Sequence, residues 1–252
     1  MFVKTDGLII KESYYSEKDK IITILTRNNG VIRAFAKGCR NVKQKNFSDI
    51  QFLNYSDFTL FSKAETYTVN EAKLKMSFFN LRKNFEFLIL AQYFCEIIIN
   101  LVKENMESED ILKLTLNSIY VLTNNKFNNK IVKSVFEMRI LKILGYQPNF
   151  LECKFCKDTA VNYFFFSKEN NIIICPRCIK EKNKKFNNGF VKINSSILSA
   201  LKYSICSKDK DIFSFSLSDE NIKIFSEVTQ NYLLKHINKP LKTLKIYEEY
   251  IS

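Results

Sequence analysis

The stretch that decides the fold runs from Thr5 to Arg40: TDGLIIKESYYSEKDKIITILTRNNGVIRAFAKGCR. Within it Leu8–Ile10, Ile21–Thr26 and Val31–Ala36 are β-branched or apolar runs of strand length. Asn28, Asn29 and Gly30, between the second and third runs, tolerate positive φ, so a tight hairpin is expected there. Two further runs come after it, Phe58–Phe61 and Thr66–Val69. In the last of them Tyr67 and Val69 share one face and Thr66 and Thr68 the other, the alternation of a half-buried strand. Five short strands between Leu8 and Val69 indicate a small barrel or a sandwich. A five-stranded barrel of the OB type is one solution.

After Asn80 the hydrophobic period becomes helical. Phe85–Val102 is apolar on most sides but carries Glu86, Gln92, Glu96 and Asn100, which makes it too polar for a membrane span and suited to a buried helix. Ile111, Leu112, Thr115, Ile119 and Leu122 form a second stripe, with Ser108 as the expected N-cap and Asn124 with Asn125 as the stop. Ile131, Val135, Met138, Leu141 and Leu144 form a third, closed by Gly145 and followed by Pro148. These three helices, joined by short polar loops, are expected to pack as a bundle. Further on, Ser195–Cys206 and Asp219–Ile237 read as helices, and Pro240 breaks the chain before a last short helical segment. The expected class is α+β: a barrel over 1–80, a helical bundle over 81–149, a metal-binding module over 150–190, and C-terminal helices over 191–252 that complete the helical domain.

Thirty-nine Lys and Arg against 26 Asp and Glu give a net charge of +13, which favours nucleic acid, an anionic membrane or an acidic protein as partner. The chain is also rich in Lys, Asn, Ile and Phe and poor in Gly and Pro, the bias of A- and T-rich codons, so local clustering carries more weight than the total. The cluster is AKGCRNVKQK, Ala36–Lys45, where Lys37, Arg40, Lys43 and Lys45 follow the third strand without an intervening acid. Loops at a barrel's strand ends are where a single strand is gripped, with cations on phosphates and aromatic faces on bases; a solvated loop is the competing reading. Phe35, Phe47, Phe52, Tyr55 and Phe58 stand near the cluster as potential stacking platforms, although most Phe serve cores. Cys39, inside the cluster, would have its thiolate favoured by Lys37 and Arg40, although one such cysteine is more often incidental than reactive.

The N-terminus has no apolar run with a small-residue cleavage site, so the expected location is the cytosol. Seven cysteines in such a chain argue against a disulfide framework and for metal. Cys153 with Cys156 and Cys175 with Cys178 are two C-x2-C pairs separated by 18 residues, a spacing that wraps four thiolates around one tetrahedral ion. Four protein ligands leave no open position, so the ion would be structural. Two redox motifs are the alternative. Cys95 and Cys206 read as small core residues and His236 as a solvated helix position. There is no phosphate-binding G-x4-G-K-[ST] loop and no G-x-G-x-x-G. The acidic pairs Glu248 with Glu249 and Glu17 with Asp19 read as surface charge, so no enzymatic activity is expected.

Two segments together carry a resemblance. The opening Thr5–Arg40, with Lys-Gly-x-Arg at its end, resembles the N-terminal barrel of the bacterial recombination and repair mediator family RecO. FEMRILKILGYQPNFLECKFC, Phe136–Cys156, followed by Phe166-Ser167 and the CPRC of Cys175–Cys178, resembles that family's second half in the same order. The resemblance implies an N-terminal OB-fold five-stranded β-barrel, an α-helical domain with an inserted four-cysteine zinc module, and no catalytic turnover. Members of the family bind single- and double-stranded DNA, anneal complementary strands, associate with RecR, recognise the C-terminal tail of single-strand-binding protein and help RecA to load, in the nucleoid-associated cytoplasm and without a membrane. On this resemblance Lys37 and Arg40 match the basic DNA-contact motif, while Lys43 and Lys45 rest on charge alone. Cys153, Cys156, Cys175 and Cys178 match the zinc ligands. Relatives place a Gly pair before the second cysteine pair where this chain has Asn170 and Asn171, the best non-Gly residues at positive φ. An RNA-binding or ribosome-associated barrel with a zinc ribbon, and an adaptor for acidic peptides, are the other readings.

Overall fold

The computed structural model describes residues 1–39, 48–64, 66–159, 161–182 and 189–250. Five strands, β1 (Phe2–Tyr14), β2 (Lys20–Thr26), β3 (Val31–Ala36), β4 (Asn54–Lys63) and β5 (Thr66–Ser77), close a barrel in the order β1-β2-β3-β5-β4. All neighbours are antiparallel except β3 with β5, and β1 pairs with β2 on one side and β4 on the other. This is the OB-fold. Ile9, Ile22, Ile24, Ile32, Ala34, Phe58 and Leu60 fill its interior, with Tyr67 and Val69 packed against them. A register shift at Ile9/Lys11 lets β1 bury residues on both faces: Ile9 enters the core, and Leu8 and Ile10 are covered outside it, where the helix that follows the barrel packs on β1.

The strands outrun their apolar runs. β5 continues through Asn70–Ser77, where only Ala72 is buried, because its ladder to β4 is maintained by backbone hydrogen bonds under exposed side chains. The Asn-Asn-Gly hairpin forms as expected: Thr26 N–H and hydroxyl both donate to the Gly30 carbonyl. Only Gly30 there takes positive φ, +67°, and a Cβ on it would stand 1.9 Å from the Lys103 carbonyl oxygen. The hairpin is therefore also a docking point, with Asn105 N–H donating to the Asn29 carbonyl.

One charged cluster ties the barrel to the next helix. The Arg27 guanidinium grips Asp6 with two bonds, Nε to Oδ1 at 2.8 Å and Nη2 to Oδ2 at 2.6 Å, while Nη1 donates to Glu109. Tyr55 hydroxyl also donates to Asp6, and the Lys75 ammonium lies 3.7 Å from it. The cluster thus joins β1, β4, β5 and the turn after β2 to α2 (Glu109–Asn124). Ser108, the expected N-cap of α2, aims its hydroxyl at the Thr26 carbonyl at 2.7 Å and its N–H at the Arg27 carbonyl, so its side chain fixes the helix to the hairpin.

The chain divides into two compact units, 1–124 with 239–252, and 125–238, so the helices expected as one bundle over 81–149 are shared between them. In the first unit a 3₁₀ turn, Phe79–Lys83, leads into α1 (Phe85–Leu101), and α7 (Lys242–Tyr250) packs on α1. Glu96 of α1 caps α7: its carboxylate accepts from the N–H groups of Lys242 and Thr243 at 3.0 and 2.9 Å and from the Thr243 hydroxyl. In the second unit α3 (Asn129–Ile143) packs against α5 (Ser195–Cys206) and α6 (Asp219–Leu234). Every residue of α3 from Ile131 to Leu141 is buried, including the ion pair Lys133–Glu137 at 2.7 Å. Gln230 and Thr229 of α6 complete its hydrogen bonds. Arg139 and Lys142 donate to a carbonyl in the last turn of α5, that of Ile205, where cations suit the negative helix end. α3 ends at Gly145, φ +81°, with Tyr146 N–H on the Leu141 carbonyl and Gly145 N–H on that of Lys142, a Schellman closure.

The Asp6 carboxyl is held well below the usual carboxylate range, first by the Arg27 hydrogen bonds and then by Tyr55. A depressed folded-state carboxyl stabilises fully above about pH 4 and loses that contribution as the pH falls further. Arg27→Ala, which leaves Asp6 without its main partner, should cost about 2 kcal/mol in urea unfolding at pH 7 and flatten the loss of stability below about pH 4. An unchanged acid limb would remove this pair from the barrel's stability.

Candidate metal centre and nucleic-acid interface

The cysteine ribbon is a three-stranded sheet in the order β7-β6-β8, from β6 (Tyr163–Ser167), β7 (Ile172–Ile174) and β8 (Phe190–Asn194). Phe150 seats it in the second unit against Phe166 and Tyr232 of α6. The first cysteine pair forms a tight loop: Cys153 N–H donates to the Asp158 carbonyl, and Lys157, at φ +64°, returns its N–H to the Cys153 carbonyl. Lys154 N–H on the Ile173 carbonyl holds this loop beside β7. The second pair follows β7 directly. Cys175 precedes α4 (Pro176–Lys182), whose first residue is a proline, which fits a first helical position because its N–H would have no partner there. Asn171 closes the β6–β7 turn at φ +54° with its N–H on the Ser167 carbonyl, the backbone state expected of it.

All four sulfurs, those of Cys153, Cys156, Cys175 and Cys178, lie within 4.8 Å of one another. Tetrahedral thiolates on metal–sulfur bonds of about 2.3 Å stand about 3.8 Å apart, so the cluster fits one ion. N–H groups of Cys175 and Cys178 donate to the sulfurs of Cys153 and Cys175, respectively. Asp158 N–H, then the neighbouring thiols and Arg177, lowers the Cys156 thiol to about 6, whereas burial raises Cys175 and raises Cys178 to about 12. A divalent cation would balance the charge of four thiolates this close together. These four residues can bind a metal ion, with no position left for substrate.

The described residues include the basic stretch as far as Cys39. Lys37 is exposed in the turn after β3; Arg40, Lys43, Lys45 and Phe47 lie outside the described residues. Gly38, φ +64°, donates its N–H to Asp19 at 2.7 Å, which lowers the Asp19 carboxyl and binds the Lys37 turn to the β1–β2 connection. Cys39 is buried in the barrel core and burial raises its thiol, which fits an incidental core cysteine and not a reactive one. The rings named as potential platforms mostly serve the fold, as expected of Phe. Phe58 is core, and Tyr55 is engaged with Asp6 and under Lys75. Phe52 and Phe35 are half-buried, the latter with Tyr15 edge-on at 5.2 Å. The exposed rings beside Lys37 are instead Tyr14 and Tyr15, 75% and 64% accessible. Two tyrosines ending a strand next to Ser-Glu-Lys-Asp-Lys are the signal in the sequence that marks them. His236 is not a solvated helix residue: it follows α6, stacked on Tyr146 at 4.7 Å, and burial lowers its pKa. Cys206 is exposed and not core, whereas Cys95 is buried as expected.

Models of two families match: "Recombination protein O N terminal" over residues 1–78 and "Recombination protein O C terminal" over 82–245. The chain belongs to the RecO family. Among curated relatives it is similar to the DNA repair protein RecO of Acetivibrio thermocellus, 34% identical over 94% of this chain and 93% of the relative. It is also similar to RecO of Alkaliphilus metalliredigens, at 25% over 95% of each chain, and of Caldicellulosiruptor saccharolyticus, at 27% over 98% of each. The boundary between the two RecO models, at residues 78 to 82, coincides with the passage from β5 into the 3₁₀ turn. No helix among the described residues is long and apolar enough to cross a membrane.

Metal loading predicts the order of thiol reactivity. With a metal bound, Cys206 should react promptly with a disulfide reagent at pH 8. Cys153, Cys156, Cys175 and Cys178 should react only after a chelator is added, and Cys39 and Cys95 only on unfolding. Prompt reaction of Cys156 without chelator would show an empty cluster.

Proposed function

We propose that this chain is a non-enzymatic mediator of DNA repair and homologous recombination. It would bind single- and double-stranded DNA and promote annealing of complementary strands. With RecR and the C-terminal tail of single-strand-binding protein, it would help RecA to load in the nucleoid-associated cytoplasm. The observation that carries this reading is the closed OB barrel of a RecO-family chain with an exposed cation, Lys37, beside two exposed aromatic faces, Tyr14 and Tyr15. Cations neutralise phosphates while the rings stack on bases, and stacking tolerates any sequence. Arg40 and Lys37 share the Lys-Gly-x-Arg motif, and Lys43 and Lys45 extend its charge.

The metal is read as structural zinc, one per chain, held by Cys153, Cys156, Cys175 and Cys178. Its work is to lock the ribbon's two cysteine loops together. Elemental analysis should find about one zinc per chain, lost on Cys175→Ser; folded protein without zinc would refute the assignment.

Fluorescence anisotropy with labelled single-stranded DNA, RNA of the same sequence and an acidic peptide, across a salt series, tests the mediator reading. DNA should bind with a steep salt dependence. Replacing Lys37, Arg40, Lys43 and Lys45 by Glu should weaken it at least about tenfold and flatten the slope, by about 0.7 per lost phosphate contact, with zinc content unchanged. Preference for RNA would indicate an RNA-binding or ribosome-associated factor instead, and peptide binding without DNA binding an adaptor.

A further inference from the structure

A groove of about 910 Å³ runs between the barrel and α1 in the first unit, at the upper end of the roughly 300–1,000 Å³ of ligand clefts. Ile10, Phe52, Cys95 and Ile99 form its apolar part. Lys11 from β1, Arg82 from the 3₁₀ turn, and Lys239 and Lys242 from the segment entering α7 also line it. Each of these four is exposed and none forms an ion pair among the described residues. The groove's two carboxylates are already engaged. Glu12 accepts from Lys20 at 2.7 Å and from Phe52 N–H, and Glu96 caps α7. Five cations, Lys11, Lys20, Arg82, Lys239 and Lys242, against the two carboxylates Glu12 and Glu96 leave the wall net positive.

Strand pairing brings the groove lining close to the Lys37 turn: Tyr14 pairs with Lys20, and Lys20 with Ala36. Tyr14 lines the groove, and its neighbour Tyr15 packs on Phe35 of the strand leading to Lys37. Asp19, one residue before the groove-lining Lys20, holds Gly38. Cations spaced along an open channel with aromatic faces at its mouth match a polyanion that carries flat rings, a single nucleic-acid strand.

The geometry points to this groove as the path of single-stranded DNA leaving the Lys37 turn, so that α1 and the segment before α7 belong to the binding surface together with the barrel. The inference rests on the DNA-binding reading above. Lysine acylation followed by mass spectrometry tests it on the unaltered chain. Saturating oligothymidylate should protect Lys11, Lys239 and Lys242 severalfold, and Lys113, on the outer face of α2, not at all. In anisotropy Lys11→Glu with Lys239→Glu should weaken binding about tenfold and reduce the salt slope by about 1.4, two contacts at about 0.7 each. If wild type binds and Lys37→Glu weakens it while these lysines stay unprotected and the double variant is unaffected, the groove is not the path and the DNA reading stands. If wild type binds no oligonucleotide, the DNA reading itself fails and takes the groove with it. Protection by an acidic peptide but not by oligothymidylate would overturn the inference and give the groove to a protein partner.

Discussion

Arg27 stands where the barrel meets the helices, and its two-pronged grip on Asp6 sets much of the architecture around it. A closed barrel gives β1 a partner on each side, so Asp6 faces β4 residues while its carboxylate turns to the guanidinium after β2. Once that bond is made, the register of β1 against both neighbours is set, because a slip of one residue would send Asp6 to the opposite face. Beyond the register shift at Ile9/Lys11, Lys11 and Tyr14 of the same strand line the groove, and Glu109 on the far side of Arg27 ties α2 to the barrel. The pair thus ties β1, the turn after β2 and α2 together at one point, on a barrel closed by its strand ladders and apolar core.

The acidic residues of the first unit are largely engaged in structure. Asp6 anchors the barrel, Glu12 ties β1 to Lys20 and to the Phe52 N–H ahead of β4, Asp19 holds the Lys37 turn, and Glu96 caps α7. Each accepts hydrogen bonds that would otherwise leave backbone or side-chain donors unmet. The excess of cations that gives the chain a charge of +13 is left facing outward by default. In such a protein the sign of the surface is set by where the carboxylates are needed inside, as much as by how many lysines there are.

The β-hairpin at Asn28–Gly30, the start of α1, the limits of α5, the Gly145 closure and the four-cysteine cluster are legible in the sequence because each rests on local chemistry: positive φ, a cap, apolar spacing or ligand spacing. β5 reads too short from its residues because its outer half is bound by backbone alone. α3 reads as a stripe because its buried Lys133, Glu137 and Arg139 look solvent-facing until α5 and α6 supply their partners. Which rings stay exposed escapes a sequence reading for a related reason: whether a ring faces core or solvent depends on the strand pairing, and Phe58 enters the core where Tyr14 and Tyr15 do not. The groove combines β1, the 3₁₀ turn, α1 and residues 239–243, more than 200 positions apart in the chain, which no local pattern can reveal.

The capping of α7 by Glu96 has a bearing on how the protein is made. The ribosome emits the barrel and α1 first, yet the N–H groups that Glu96 receives, and the apolar face that α7 lays on α1, arrive only after residues 125–238 have been produced. During that interval α1 waits with one side uncovered, and the first unit is finished by the last segment to emerge. A message cut short before Lys242 would yield a barrel with an unsealed helix, a product that quality-control proteases can tell from the complete one.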